Sequence, residues 1–253
     1  SLIRATLRHS GALRIDHVLG LFRQFWIPAG MPGRLGAYVR FPTDDLMGIL
    51  ALESARHHAV IVGEDLGTVP PEVPGTLERW GILSSRVMYF EREADGRFLP
   101  ASSYPRLSLT TADTHDMATI TGFWTGRDIE LQRMAGLIES EAGAAAARAH
   151  REQERRFLVE RLVAEGALKA ADADAPSNAE LRGAVHRFLC STPAALVGVY
   201  LEDLVGEREP VNLPGVCADI FRSWTRRLSH TLESLATDPE VAQSFPDPVR
   251  AGR

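Results

Sequence analysis

Cysteine is scarce in this sequence, which contains only Cys190 and Cys217 among its 253 residues. Their spacing matches no metal-binding or redox motif, so we expect two free thiols in a reducing cytoplasm. Long apolar runs are missing as well, because none approaches the ~20 residues that a membrane-spanning helix needs. The sequence therefore predicts neither a disulfide framework nor a membrane protein.

An excess of positive charge is also absent. The chain has 28 Lys and Arg against 33 Asp and Glu, which gives a formal net charge of −5 at pH 7. This balance gives no reason to expect nucleic-acid binding or a basic patch for a membrane surface. What is present, 45% hydrophobic and 24% charged residues, is typical of a globular chain with a substantial core.

Short apolar strands alternate with helical segments along the chain. Five strand candidates are centred near Ile15, Ile61, Met88, Thr110 and Val197. The helical patterns between them indicate parallel βα units and an α/β fold. A segment rich in glycine, proline and aromatics, WIPAGMPGRLGAYVRFP, is predicted as a long loop of functional importance.

The helices are predicted from apolar spacing and capping residues. Residues 2–9 and 43–58 suit helices, the second with Thr43 or Asp44 as N-cap. From 127 to 190 the chain is alanine-rich helix with a mostly solvated polar face, in which Ser177 and Glu180 have capping-box spacing. Residues 217–235 suit an amphipathic helix with Trp224, Leu228 and Leu232 on one side.

Charged side chains gather where predicted strands end. They are Arg14 and Asp16, then Glu64 and Asp65, then Asp113, His115 and Asp116, and finally Glu202 and Asp203. Parallel sheets and α/β barrels build active sites at the carboxyl ends of their strands. Asp65 and Asp203 have a plainer alternative, which is that they cap the helices that follow.

Two of these carboxylates are placed in different surroundings by their neighbours. Arg14, on the same strand face as Asp16, would keep that carboxylate ionised and oriented, as a nucleophile requires. Glu64 follows Val60, Ile61 and Val62, and an apolar surround would raise its pKa, as a general acid requires. Two carboxylates in contrasting environments are the groups that cleave glycosidic bonds.

The sequence also resembles a known family. LRIDHVLGLFRQFWIP, VIVGEDLGTVPPEV and TTADTHD resemble three signature blocks of glycoside hydrolase family 77, the 4-α-glucanotransferases. GAYVRFPTDDLMGILALES, RVMYFERE and EDLVGEREPVNLPG are similar too, and all occur in the family's order. The resemblance is weakest in the alanine-rich helices.

The resemblance implies a role for each matching residue. The nucleophile would be Asp16, the general acid/base Glu64 and the third, transition-state-stabilising carboxylate Asp116, while Arg14 and His115 would contact the sugar and Asn212 is a weaker candidate for substrate contact. The implied substrates are maltodextrins, and the implied chemistry needs neither a cofactor nor a metal. It is a retaining double displacement through a covalent glucosyl-enzyme, with a second glucan as acceptor.

The resemblance further implies the C-terminal part, strands four to eight, of a (β/α)8 TIM barrel. Residues 1–126 would hold strands four to seven, 127–190 a helical insertion, and 191–253 the last strand and a C-terminal helix. The helix-first start at Ser1 fits a barrel that lacks its first three strands. We expect such open edges to bind a partner, to self-associate, or to mark a piece of a longer chain. One departure from the family is Ser223 before Trp224, where asparagine is usual, and we expect a structural role for it.

Three alternatives stay open. The first is an α-amylase-like hydrolase, which would use the same carboxylates with water as acceptor. The second is a catalytically inactive half-barrel that binds glucan or itself. The third is a metal-dependent hydrolase built on Asp16, His17, His115 and Asp116, against which Arg14 argues because it would repel a cation.

Overall fold

The computed structural model describes residues 2–245, so Ser1 and the end of the predicted last segment, residues 246–253, lie outside it. The described chain forms two compact units. Unit 1 contains residues 2–86, with Pro105–Leu109 and Ala194–Leu196. Unit 2 contains Val87–Tyr104, Thr110–Pro193 and residues 197–245.

Seven strands form within the described residues: β1 (Ala12–Ile15), β2 (Arg23–Trp26), β3 (Ala37–Arg40), β4 (Val60–Gly63), β5 (Leu83–Val87), β6 (Ser108–Thr111) and β7 (Leu196–Val197). Five of them make one sheet in the order β1-β4-β5-β6-β7, in which β1 pairs with β4 and β4 with β5 in parallel. Four of the five predicted strand centres fall inside these strands. The fifth, Met88, begins a 3-10 turn directly after β5.

The same residues form ten α-helices: α1 (Leu2–Leu7), α2 (Thr43–His57), α3 (Glu72–Arg79), α4 (Ile120–Thr125), α5 (Arg127–Met134), α6 (Glu141–Ala164), α7 (Asn178–Ser191), α8 (Leu201–Val205), α9 (Leu232–Leu235) and α10 (Pro239–Ser244). The capping box that the sequence predicts at Ser177 and Glu180 is confirmed. None of these helices is long and apolar enough to cross a membrane.

Unit 1 has its own apolar core. It is formed by the inner faces of α1, α2 and α3 with β4 and the turn after β1; its most buried members are Leu7, Val18, Met47, Leu50, Ile61, Val73, Leu77 and Ile82. The predicted N-cap of α2 is wrong, because Pro42 occupies that position. Thr43 lies inside the first turn, where its hydroxyl donates to the carbonyl of Leu21 and cannot cap the helix.

The predicted long loop before α2 contains an antiparallel hairpin. β2 and β3 pair in register from Arg23 with Arg40 to Trp26 with Ala37. The rings of Phe25 and Tyr38 meet edge to face, with their centroids 5.1 Å apart. The glycines that indicated a loop, and all its prolines except Pro42, lie in the connection between these strands.

Unit 2 is built around the helices for which the sequence predicts a mostly solvated polar face. Phe98, Leu162, Phe188 and Leu189 are each 0% exposed in its core. Ten of the 14 residues of α7 are buried, so this helix is central to the unit and its predicted solvated face is absent. The long α6 fits the prediction better, because only four of its 24 residues are buried.

The end of the chain differs most from the predictions. The predicted final strand, PAALVGVYLEDL, is reduced to the two residues of β7, and Glu202 and Asp203 lie in α8 rather than at a strand end. The predicted helix 217–235 is also wrong, since only α9 forms there. The backbone N–H of Trp224 donates to the carbonyl of Val211, a long-range bond that replaces a helical one.

A buried carboxylate fastens α1 to α2 in unit 1. Arg4 donates two hydrogen bonds to Glu53, at 3.1 and 2.7 Å, and Arg56 adds a third at 3.0 Å. The bonds from Arg4 are the main reason why the pKa of Glu53 falls from 4.5 to about 2. The folded state therefore gains stability from this charge above about pH 4.5 and loses it as the pH falls towards 2.

We expect Glu53→Gln to lower the melting temperature at pH 7, because an amide cannot accept all these bonds and its NH2 would face donors. The difference from the parent should vanish as the pH falls from about 4.5 to about 2. Asp44→Asn is the matched control, since its ion pair with Arg79 joins side chains that are 77% and 64% exposed and should matter little. A constant difference at all pH values, measured by circular dichroism melts, would contradict the interpretation.

Candidate active site

The first part of the candidate site lies at the carboxyl edge of β1 and β4 in unit 1. These parallel strands pair Ile15 with Gly63, so the next residues, Asp16 and Glu64, come at the same edge of the sheet. The pairing continues one step further, because the N–H of Glu64 donates to the carbonyl of Ile15 at 2.9 Å. The structure therefore places the two carboxylates at neighbouring strand ends.

Asp16 is an exposed carboxylate held by a guanidinium. Its side chain is 79% exposed, and Nη1 of Arg14 donates to its Oδ1 at 3.0 Å. The strand places both side chains on one face, as their spacing predicted. The positive charge orients the carboxylate while leaving its other oxygen open to an incoming atom.

Glu64 is held by backbone donors from two different segments. The N–H of His17 donates to Oε2 and the N–H of Leu66 to Oε1, both at 2.8 Å. The predicted apolar surround is therefore incomplete: Ile61 and Val62 are buried, but the Glu64 carboxylate itself is only partly buried and faces polar donors.

The donor from His17 is provided by an unfavourable backbone conformation. His17 has φ 45° and ψ 59°, in the left-handed region. A residue with a side chain pays on the order of 1–2 kcal/mol for this conformation. The turn places the N–H of His17 on the side chain of Glu64 and the N–H of Val18 on its carbonyl, at 2.9 Å. The strained residue therefore lies in the turn whose N–H groups bind Glu64.

Asp65, next to Glu64 in the sequence, has a structural role. It is 4% exposed, accepts the N–H of Ser85 at 2.8 Å and lies 3.8 Å from a guanidinium nitrogen of Arg86. Burial raises its pKa, which the Ser85 bond and the Arg86 charge oppose. Because α3 begins with Pro71 as its N-cap, Asp65 caps no helix and instead ties β4 to β5.

The second part of the candidate site lies in unit 2, after β6. The side-chain amide of Asn212 donates to Oδ1 of Asp116 at 2.6 Å, and its backbone N–H donates to the carbonyl of His115 at 3.1 Å. Nε2 of His115 lies 3.5 Å from Oδ2 of Asp116. The structure thus brings together the three predicted site residues of this unit.

One neighbour of this cluster was missed by sequence reasoning. The ring of Trp224 lies 5.2 Å from that of His115, centroid to centroid. Trp224 is 63% exposed and has φ 64°, a second strained residue of the candidate site. The helical apolar spacing around Trp224 pointed to a buried side, and no local signal indicates the long-range bond that holds it.

A buried carboxyl pair lies next to the loop of His115 and Asp116. Asp113 and Asp203 are 3% and 1% exposed, and Oδ1 of Asp203 accepts the N–H of Ile120 at 2.7 Å. Burial, followed by the charge of Asp203, raises the pKa of Asp113 far above its usual range, and burial raises the pKa of Asp203 from 3.8 to about 7. We interpret the pair as holding a proton between them, and Oδ1 of Asp203 accepts from the start of α4 rather than capping its own helix.

The predicted site residues thus fall into two sets, Arg14, Asp16 and Glu64 in unit 1 and His115, Asp116 and Asn212 in unit 2. The metal-dependent alternative requires a cluster of ligands. Within residues 2–245, no group of three or more His, Cys, Asp or Glu side chains is placed to hold a metal ion.

Comparisons with known proteins give one consistent result. The model of the family described as 4-alpha-glucanotransferase, glycoside hydrolase family 77, matches residues 1–233. A 4-alpha-glucanotransferase of Mycobacterium tuberculosis is 39% identical over 99% of this chain and 35% of its own length. One from Haemophilus influenzae is 36% identical over 100% of this chain and 36% of its own length. The chain therefore spans about a third of these relatives.

Solved structures support the predicted fold. The crystal structure of amylomaltase from Corynebacterium glutamicum matches all of this chain and 37% of its own, with a TM-score of 0.90 and 34% identity. Amylomaltase from Streptococcus agalactiae in complex with acarbose matches 96% of this chain and 41% of its own with a TM-score of 0.63, but at 18% identity it bears on the fold alone. The predicted fold class, an α/β chain forming the C-terminal part of a (β/α)8 barrel, is confirmed.

We expect Gly63→Ala to destabilise unit 1 by about 1–3 kcal/mol, because overpacking forces the backbone to shift. A Cβ there would lie 3.1 Å from both Cγ atoms of Val18, which is 0% exposed. Gly75→Ala is the control: its Cβ would meet nothing within 4 Å inside α3 and should stabilise by up to about 1 kcal/mol. Urea unfolding measures both changes, and equal effects of the two variants would contradict this account of Gly63.

We expect the Asp113–Asp203 pair to make the protein less stable as the pH rises from about 4 to about 7. The raised pKa of Asp203, about 7, means that the folded state keeps a proton which the unfolded chain has released. Stability is therefore greatest below pH 4 for this group and declines by up to about 1.4 kcal/mol per pH unit above it. Asp203→Asn should remove the part of that slope that Asp203 contributes, while the buried Asp113 keeps its own.

The readout is the difference in unfolding free energy between parent and variant at several pH values, because other groups titrate in both. Asp174→Asn, which changes an exposed carboxylate of the same unit, is the control and should leave the slope unchanged. A parent and an Asp203→Asn variant with parallel stability curves between pH 4 and 7 would overturn the shared-proton interpretation.

Proposed function

Because the chain belongs to the 4-alpha-glucanotransferase family, glycoside hydrolase family 77, we propose that it carries the catalytic carboxylates of an enzyme that transfers α-1,4-glucan segments between maltodextrins. The observation that carries the proposal is the placement of Asp16 and Glu64 at the ends of two paired strands. Each carboxylate is oriented by its own donors, Arg14 for Asp16 and backbone N–H groups for Glu64.

In the first step Glu64 protonates the glycosidic oxygen while an oxygen of Asp16 attacks the anomeric carbon. The bond to the leaving glucan breaks, and the donor glucan becomes covalently attached to Asp16. The guanidinium of Arg14 bonds to Oδ1 of Asp16, so Oδ2 is the attacking atom. Retaining enzymes need the two carboxyl groups about 5–5.5 Å apart, a spacing that neighbouring parallel strands about 4.8 Å apart readily provide.

In the second step Glu64 takes the proton of the 4-hydroxyl of another glucan, whose oxygen then displaces Asp16. The backbone donors on both oxygens of Glu64 support both steps because they hold the carboxyl group in one orientation. Glu64 therefore serves as acid and base without moving from its bonds to His17 and Leu66.

The residues of unit 2 would bind hydroxyls of a sugar ring of the glucan. Asp116 has one carboxylate oxygen on the amide of Asn212 and the other near His115. This arrangement leaves the carboxylate partly exposed, at 47%, and fixed in direction for a pair of sugar hydroxyls. Hydrogen bonds of this kind strengthen as positive charge develops on the ring in the transition state. Asn212 acts here mainly through Asp116.

Exposed aromatic side chains of the hairpin support an acceptor-binding surface in unit 1. Trp26 and Tyr38 are both 56% exposed, and the guanidinium of Arg23 lies 4.1 Å from the Tyr38 ring centroid. Both rings lie in the segment that the sequence predicts as a functional loop, and their exposure favours stacking on a ligand over packing in the core. Aromatic faces with a polar neighbour suit sugar rings, which carry both C–H groups and hydroxyls.

Further parts of the proposal follow from the sheet and from the sequence. β1 and β7 end the strand order, so each has one side without a strand neighbour in the described chain. Such edges favour pairing with other strands, either of a longer chain or of a second copy.

We place the protein in the cytoplasm, where its two cysteines would stay reduced. We also propose that residues 127–190 are an insertion between the last two barrel strands.

We expect the chain, incubated with maltotriose, to form glucose together with maltodextrins longer than the substrate, because transfer lengthens some chains as it shortens others. Asp16→Asn and Glu64→Gln should each lower the rate by at least about 10³-fold, since neither step then has its reacting group. Products resolved by chain length give the readout. The exposed Asp44→Asn variant is the control and should keep the parent rate.

The same experiment separates the alternatives. Glucose and maltose without longer products would indicate the hydrolase and overturn the transferase proposal for this chain. No products from this chain, but transfer once the remaining two thirds of a relative's length is supplied, would support the inactive half-barrel for the chain alone. No products in either form would overturn the proposed function.

A further inference from the structure

Trp224 has a strained backbone conformation, and packing of its side chain does not offset the strain. Its φ of 64° lies in the left-handed region, where a bulky residue is an outlier. Burial gives no compensation, because the side chain is 63% exposed. Strain of this kind, at an exposed aromatic residue, indicates a functional role for the ring rather than a packing role.

Hydrogen bonds aim the Trp224 ring at the sugar-binding cluster of unit 2. The N–H of Trp224 donates to the carbonyl of Val211 at 3.0 Å, and the next residue, Asn212, bonds to both Asp116 and His115. The ring itself tilts at 47° against the ring of His115, 5.2 Å away. The backbone of Trp224 is thus bonded to the same segment, Val211 and Asn212, that orients the Asp116 carboxylate.

Ser223 helps to hold this conformation. Its hydroxyl oxygen accepts the N–H of Leu213 at 3.2 Å, one residue after Asn212. Together with the Trp224–Val211 bond it pairs two segments that are ten or more residues apart. The structural role expected for Ser223 therefore consists in keeping Trp224 beside the cluster.

The space beside the ring suits part of a sugar chain. An open cleft of about 240 Å³ is lined by Trp224 together with charged groups, among them Glu202, Glu207 and Arg226. Arg226 pairs with Glu209 at 3.3 Å and lies 3.9 Å from Glu207. Pockets that enclose drug-sized ligands run from about 300 to 1,000 Å³, so this cleft fits one or two sugar rings that stay partly in solvent. It offers an apolar face with hydroxyl-binding groups around it.

We propose that the indole of Trp224 is a stacking surface for a glucose ring of a bound glucan, next to the ring held by His115 and Asp116. The inference rests on the proposed function and adds a subsite to it. C–H groups on one face of the glucose ring would contact the indole, while Glu202 and Arg226 would bind hydroxyls at its edge. The left-handed backbone of Trp224 keeps the indole preorganised in the open position before the glucan binds.

The test measures maltoheptaose binding by calorimetry to the chain carrying Asp16→Asn, which prevents turnover. We expect Trp224→Ala and Trp224→Gly to weaken binding on the order of tenfold, and Trp224→Phe to retain most of it, since a stacked ring contributes about 1 kcal/mol beyond its buried area. Trp224→Gly also relieves the positive φ, so its melting temperature should be at least that of Trp224→Ala.

His58→Gly is the matched control for strain. His58 is another non-glycine residue with positive φ, 51°, and it is the C-cap of α2 in unit 1. This variant should raise the melting temperature and leave maltoheptaose affinity unchanged. Equal affinity of the parent and both ring-deleting variants would overturn the stacking role while leaving the proposed function intact. A parent that does not bind maltoheptaose, and that forms no products from maltotriose even when the remaining two thirds of a relative's length is supplied, would instead overturn the proposed function and the subsite with it.

Discussion

The parallel pairing of β1 with β4 is the constraint on which the candidate active site depends. It sets Ile15 opposite Gly63, and so sets the residues that follow, Asp16 and Glu64, side by side. A Cβ at Gly63 would lie 3.1 Å from Val18, which is fully buried, so a side chain there would force its neighbours to shift. In the turn after β1, His17 has a left-handed conformation and its N–H donates to Glu64.

The carboxylates of the chain are held by different physical means, and each means suits a different task. Asp16 is exposed and paired with a guanidinium, which orients it and leaves it accessible. Glu64 accepts backbone donors that do not depend on side-chain positions. Asp113 and Asp203 are buried, and burial raises the pKa of both, so they hold the loop of unit 2 with less charge than two ionised carboxylates would carry. The acids that follow the strands therefore separate into proposed reacting groups and structural groups by their burial and their hydrogen-bond donors.

Sequence reasoning succeeded where structure is decided locally. The short apolar strands ending in charged residues, and the capping box of α7, follow from patterns within a few residues. It failed where distant bonds decide. The hydroxyl of Thr43 donates to the carbonyl of Leu21 and so does not cap α2. The apolar spacing around Trp224 is helical, but hydrogen bonds to Val211 and Leu213, ten or more residues away, hold that segment in a different conformation. Such bonds leave no periodic signal in the sequence. For the same reason, the sequence does not predict the left-handed conformations of His17 and Trp224.

Exposure at Asp16 has a consequence for the choice between transfer and hydrolysis. Its carboxylate is 79% exposed, so a sugar attached there stays open to water unless something covers it. Nothing in the bonding of Arg14 or Glu64 distinguishes a water molecule from a glucan hydroxyl. Discrimination must therefore come from surfaces that bind the acceptor and expel water as they do so. In the proposed enzyme, the exposed rings of Trp26 and Tyr38 have the chemistry for this task, so the ratio of transfer to hydrolysis would depend on this aromatic surface rather than on the carboxylates.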